Sequence, residues 1–189
     1  MAVTAFQLCA RALVKIGAHP ISSFDEGSVE AQVAASLYPV VRDALLSIHP
    51  WNFAIKQERL AKLTSPPVAD FAHAFALPSD CLRVISSGRP DRGRGLTYRI
   101  QGQMLYTNSD AVVLTYLCKV DEAGFPVFFQ LALIARLAAE FCIPLTESTA
   151  RWINLSRAAE EELRRARLAD AQEDTPPRIE NFVLIEVRG

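Results

Sequence analysis

The run YPVVRDALLSIHPWNFAIKQERLAKL, from Tyr38 to Leu63, changes its period halfway. Up to Ile48 the apolar residues recur at helical spacing; beyond Trp51 they roughly alternate, with Phe53, Ile55, Gln57 and Arg59 on one side and Asn52, Ala54, Lys56 and Glu58 on the other. A helix must therefore stop in between. Pro50 ends it, and the residue before a proline, His49, is biased to an extended conformation. The large side chains Trp51 and Phe53 sit at this corner. Such a corner joins a helical layer to a β layer, and the two rings are expected to be the core hinge between the layers rather than a ligand site.

The rest of the chain follows from that joint. Thr4 caps a first helix from Ala5 to about Ile16, with Phe6, Cys9, Ala10, Leu13 and Ile16 on its apolar stripe, and Gly17 stops it. Ser28 caps a second helix from Val29 to about Ile48. Its expected buried face is Val33, Leu37, Val40, Val41, Ala44, Leu45 and Ile48, with Arg42 and Asp43 pointing away and a kink near Ser36 caused by Pro39. A strand is expected from Phe53 to about Leu60. Then come the Pro66-Pro67 loop, a turn at Leu77–Asp80 and a strand through Leu82, Val84 and Ser86 to Gly88. Three closely spaced strand candidates, Tyr98–Gln101, Gln103–Thr107 and Ala111–Lys119, predict an antiparallel meander.

Pro126 then opens a third helix that is apolar nearly all round and hence central. Pro144 is expected to end it. Thr146 or Ser148 opens a fourth helix, Thr149 to about Ala171, about 35 Å long at ~1.5 Å per residue. Its i,i+4 pairs are Glu160–Arg164 and Glu161–Arg165. Pro176-Pro177 breaks the chain before a tail that contains the apolar run Phe182, Val183, Leu184, Ile185 and then Val187. The predicted class is α+β: a bundle of about four helices (1–50 and 121–175), an antiparallel β-sheet insertion between helices 2 and 3 (51–120), and an extended C-terminal arm (176–189).

At 189 residues the chain fits one domain that buries about 70% of its unfolded surface. A net charge of −1 excludes a general polyanion binder. Cys9, Cys81, Cys118 and Cys142 have no metal-knuckle or redox spacing and read as buried, reduced thiols. The first residues read as an amphipathic helix and not a signal peptide, and Gln130, Arg136 and Glu140 argue against a membrane span at Phe125–Ile143.

Chemistry-bearing patterns are few. No nucleophile elbow, phosphate loop or His-Glu-x-x-His is present, and His19, His49 and His73 lack carboxylates at ligand spacing. No cofactor, metal or catalytic residue is expected. Arg89, Arg92 and Arg94, flanked by Arg83 and Arg99, form a local basic patch for DNA or a neighbouring chain, or else a solvated loop. The apolar tail either folds back on its own β unit or adds a strand to another chain. The fourth helix is either an ordinary surface helix or a wall helix against its copy, with Glu160, Glu161, Arg164 and Arg165 setting register and Ala159, Ala166 and Ala169 allowing close approach.

The run RDALLSIHPWNFAIKQERLA, followed by LPSDCLRV, resembles the tail tubular protein A family of short-tailed bacteriophages. Arg42 and the segment Pro50–Ala54 are its most specific piece. An N-terminal helix ending in Lys-Ile-Gly, an Ala-rich helix and the run IPLTES extend the similarity over about Phe6 to Leu168. The resemblance implies a head-to-tail adaptor, made in the host cytoplasm and located in the virion. It implies a ring of twelve copies docked under the portal protein, the next tail or nozzle component as a second partner, DNA passing through the channel, and no membrane. Phe182 to Val187 would contact the portal. Two other classes stand beside this one: a virion-associated hydrolase of cell wall or polysaccharide, which needs a facing pair of carboxylates, and a small nucleic-acid-binding module on the Arg83–Arg99 patch.

Overall fold

The computed structural model describes residues 3–65, 67, 69–90 and 93–173, with the backbone alone at Gly93 and Arg94. The Phe182–Val187 arm and Arg92 lie outside the described residues. The fold is α+β, with four helices and two small antiparallel sheets inserted between the second and third helix.

Helices α1 (Ala5–Ile16), α2 (Val29–Ser47), α3 (Val127–Thr146) and α4 (Thr149–Ala171) begin and end close to the expected signals. The Gln7 side chain accepts the Thr4 backbone N–H at 3.1 Å, and Gly17 closes α1 at φ 77°, a left-handed conformation that favours glycine. Ser28 Oγ accepts the Ala31 N–H, and Ser148 Oγ the Arg151 N–H. Pro144 does not end α3, which runs on to Thr146 before Glu147 turns left-handed at φ 52°. A proline in the last turn removes only one helical bond, and the helix survives it.

Helix α3 is the axis of the helical layer. Phe129, Leu133, Leu137, Ala138 and Phe141 are buried against α1, α2 and α4, which explains a helix apolar on most of its circumference. The face of α2 differs from expectation. Ala31, Ala34, Tyr38, Val41, Leu45 and Leu46 are buried, whereas Val40 is 67% and Ile48 46% exposed, and Ala44 is also exposed. The apolar surface of α2 is wider than one packed face, so two stripes compete and the one carrying Tyr38 wins. Arg42 does not point to solvent; its side chain is only 12% exposed.

The insertion is two sheets. Strands β1 (Ile55–Arg59), β3 (Cys81–Arg89), β4 (Gly93–Arg94) and β7 (Val113–Cys118) form one, in the order β1-β7-β3-β4. Strands β2 (His73–Ala76), β5 (Tyr98–Gln101) and β6 (Met104–Thr107) form the other, in the order β2-β6-β5. The expected meander therefore holds for β5–β6 and fails at β6–β7. The loop between them is redirected: Asn108 Oδ1 accepts the Ala72 N–H, and buried Ser109 donates to the Ala111 carbonyl. β7 then pairs with β1 and β3 instead. Strand β1 starts two residues later than expected, because Asn52–Ala54 close a 3₁₀ turn.

Central strand β7 is the wall between two cores. Leu117 packs with the helical core, alongside Leu82 and Ile85 of β3. Leu114 and Tyr116 face a smaller core with Leu60, Phe75, Leu105 and Val112. A strand covered on both faces loses the polar alternation of a surface strand, as VLTYLC does.

Candidate functional site

The chain passes between the helical layer and the sheets twice, and each crossing gathers polar and aromatic groups, among them Trp51, Phe53 and Arg42. At the outgoing crossing Trp51 is fully buried and donates from Nε1 to the Leu45 carbonyl at 2.9 Å. Its ring meets His49 edge-on at 4.7 Å and Phe129 at 5.2 Å, and Phe53 packs on Phe129 at 5.0 Å. At this corner Trp51 is buried in the helical core and Phe53 is half-buried against it.

Asp170, here, and Glu122, at the other crossing, are residues that sequence reasoning missed. Asp170 is 2% exposed, in the last turn of α4. Its carboxylate accepts the Asn52 backbone N–H at 2.9 Å and lies 3.3 Å from His49 Nε2, while the Asn52 amide donates to the Asp170 carbonyl at 2.7 Å. Burial holds the His49 imidazole below its ordinary pKa, outweighing the pull of Asp170 in the other direction. A signal was present: an aspartate in a helix's last turn opposes the macrodipole and needs a compensating partner.

At the return crossing Glu122 stands in the 3₁₀ turn Glu122–Gly124 that leads into α3. Its Oε1 accepts from Tyr38 Oη at 2.8 Å and from Arg42 Nη1 at 3.2 Å. Arg42 Nε also donates to Asp43 at 2.8 Å, and Lys119 reaches the other Asp43 oxygen at 3.4 Å. Burial alone would raise the Glu122 pKa. Hydrogen bonds from its own backbone N–H, Tyr38 and Arg42, with the charge of Arg42, overcome that and hold the carboxyl below its usual range. Arg42, part of the sequence resemblance, is thus a structural tie between α2 and the end of the insertion.

Of the basic patch, the described side chains of Arg89 and Arg99 each make their own local contacts. Arg89 Nε donates to Ser109 Oγ at 3.1 Å. Arg99 pairs with Asp70 at 2.8 Å and covers the Phe71 ring, beside a hollow of about 480 Å³ with Met104 and Tyr106 on its wall. Arg94 pairs through its backbone with Gly88 in a two-residue hairpin strand. On α4, Arg164 pairs with Glu161 rather than Glu160, and Arg165 reaches both Glu161 at 3.3 Å and Glu162 at 2.9 Å. Ala159 and Ala166 are buried within the chain, and Ala169 is half-buried.

Two carboxylates do face each other: Glu58 and Asp80 lie 3.1 and 3.0 Å from Tyr116 Oη, with Lys56 3.1 Å from Asp80. They sit on and beside edge strand β1, every residue of which is exposed. Hydrogen bonding to Asp80, then to Tyr116, raises the Lys56 pKa and keeps the ammonium charged between them. Among the described residues no group of three or more His, Cys, Asp and Glu side chains is placed to hold a metal ion.

On the helical side an open groove of about 450 Å³ runs between α2, α3 and α4, lined by Leu37, Val40, Ala44, Ile48 and Leu163, with Arg136 and Glu140 at its side. Val127 and Leu131 of α3 and Leu168 of α4 are also exposed. Compared with known proteins, the chain matches no family model and no curated sequence.

Proposed function

We propose that this protein is a bacteriophage virion component, a head-to-tail adaptor that docks as a ring of copies under the portal protein, extends the DNA channel and forms the platform for the tail. The observation that carries the reading is the order of elements. Two helices, a β insertion and two further helices follow the plan implied by the tail tubular protein A resemblance, with Arg42 and Trp51 at its joints. The insertion is tied to the helices at both ends, as a platform must be. The apolar side chains exposed along α2, α3 and α4 favour self-association, the kind of surface that copies in a ring cover. In this reading the mechanism is assembly, and the arm Phe182–Val187 supplies the portal contact.

The test is the mass of the purified chain, alone and mixed with the portal protein of its own particle. A ring of copies on the portal is expected, and a monomer in isolation is compatible with that. No binding to the portal would overturn the proposal. Deleting Glu180–Gly189 should weaken docking and leave the fold intact; undiminished docking would remove the arm from the reading.

A further inference from the structure

Cys81 and Cys118 are far apart in sequence and stand directly opposite each other at the end of the β3–β7 pair. The Lys119 N–H donates to the Asp80 carbonyl at 2.8 Å, so the hydrogen bond flanks the cysteine pair instead of joining it. That pattern marks a non-hydrogen-bonded antiparallel position, where Cα atoms are about 4.5 Å apart and both side chains leave the same face of the sheet. The spacing falls within the ~4.4–6.8 Å that a disulfide spans. Both residues are half-buried at the rim of the smaller core, within reach of solvent. Cys9 and Cys142, by contrast, are buried in the helical core, and burial with the Glu122 charge pushes Cys9 up to about 12.

We propose that Cys81 and Cys118 are a redox modification site: a dithiol that small-molecule disulfides of the glutathione type convert to an intramolecular disulfide. One protein thiolate attacks a sulfur of glutathione disulfide; that S–S bond breaks, a mixed disulfide forms, and one glutathione leaves and takes up a proton. The second protein thiol, on losing its proton, attacks the protein sulfur of the mixed disulfide and expels the second glutathione. The protein gives up two electrons and two protons, and glutathione disulfide receives them. Cys118 is the better first nucleophile, because the Lys56 ammonium opposes the burial and the Asp80 charge that raise both thiols. The new bond closes the sheet where β7 leaves for the return crossing. The inference does not depend on the adaptor reading.

The test titrates the native full-length chain with glutathione disulfide, then counts thiols and maps peptides. The expected product has lost the mass of two hydrogen atoms, carries a Cys81–Cys118 cross-link and retains Cys9 and Cys142 as thiols. The rate should rise up to about tenfold per pH unit below the thiol pKa, as the thiolate fraction does. Cys81→Ser should instead trap one glutathione on Cys118. Persistent free thiols at both positions, stable glutathione adducts on both in the unmodified chain, or a cross-link through Cys9 or Cys142 would each overturn the assignment.

Discussion

The two crossings between the helical and β layers solve the same problem with different chemistry. The outgoing crossing is a packed aromatic joint: Trp51, Phe53 and Phe129 interlock, and one buried carboxylate, Asp170, ties the chain to α4. The return crossing is a polar joint in which Tyr38 and Arg42 hold Glu122 at the partly solvated side of α2. A large buried ring contributes through area and shape, which are insensitive to pH. An ion-paired carboxylate contributes through its charge state and is discounted by every bit of solvent that reaches it. The outgoing crossing should therefore dominate stability, and the return crossing, whose Glu122 carboxyl is held below its usual range, should yield only in stronger acid.

The largest test of this difference is Trp51→Ala. Removing a fully buried indole and its bond to the Leu45 carbonyl should cost about 3–5 kcal/mol by denaturant unfolding. A loss under ~1.5 kcal/mol would mean the joint collapses around the gap and the comparison fails. Asp170→Ala comes next, at about 1–3 kcal/mol, because it leaves the half-buried Asn52 N–H without its carboxylate acceptor. If Asp170→Ala proved as costly as Trp51→Ala, the outgoing crossing would be polar at heart, and the contrast with Glu122 would disappear.

How much of this could be read in advance differs between the layers for a physical reason. Helix ends are local: Thr4, Gly17, Ser28 and Ser148 act within one turn of themselves, and the boundaries of α1, α2 and α4 followed from them almost to the residue. Helix faces are not local. Val40, Ala44 and Ile48 form as good an apolar stripe as Tyr38, Val41 and Leu45, and only the position of α3 decides between them. Strand partners are still less local. The sequence spacing of β6 and β7 suggested a hairpin, yet β7 pairs with β1, more than fifty residues earlier. The facing of Cys81 with Cys118 and of Glu58 with Asp80 depends on that long-range register, so neither pair was visible. Trp51 was legible at the corner because the change of period marks it, and it is buried there, whereas Asp170 came to it from the far end of the chain.

The third test separates the crossings by pH. The folded-state pKa of His49 lies below its ordinary 6.5, so the unfolded chain takes up the proton first. The contribution of the outgoing crossing is complete above that value and declines as pH falls below it. Glu122 is held below its ordinary 4.5. The unfolded chain again protonates first, and stability is lost only as pH falls below that lower value. His49→Gln should flatten the stability profile just below pH 6.5. Glu122→Gln should cost about 1–2 kcal/mol at neutral pH and flatten the profile below 4.5. If either substitution altered the other's window, the two joints would be one coupled network.

The smallest expected effect locates the return crossing's stability within its network. Lys119 bonds Asp43 at 3.4 Å from a largely solvated position, its side chain 47% exposed, while Arg42 lies between Asp43 and Glu122 with little solvent around it. Lys119→Met should cost no more than about 0.5 kcal/mol, since an exposed ion pair gives back in side-chain entropy what it gains in attraction. In a double-mutant cycle with Glu122→Gln the two effects should add within about 0.5 kcal/mol, because Lys119 and Glu122 have no direct contact. A larger coupling would mean that Lys119 fixes the Asp43 carboxylate and, through it, the orientation of Arg42. The polar joint would then extend to the surface, and its sensitivity to salt should grow accordingly.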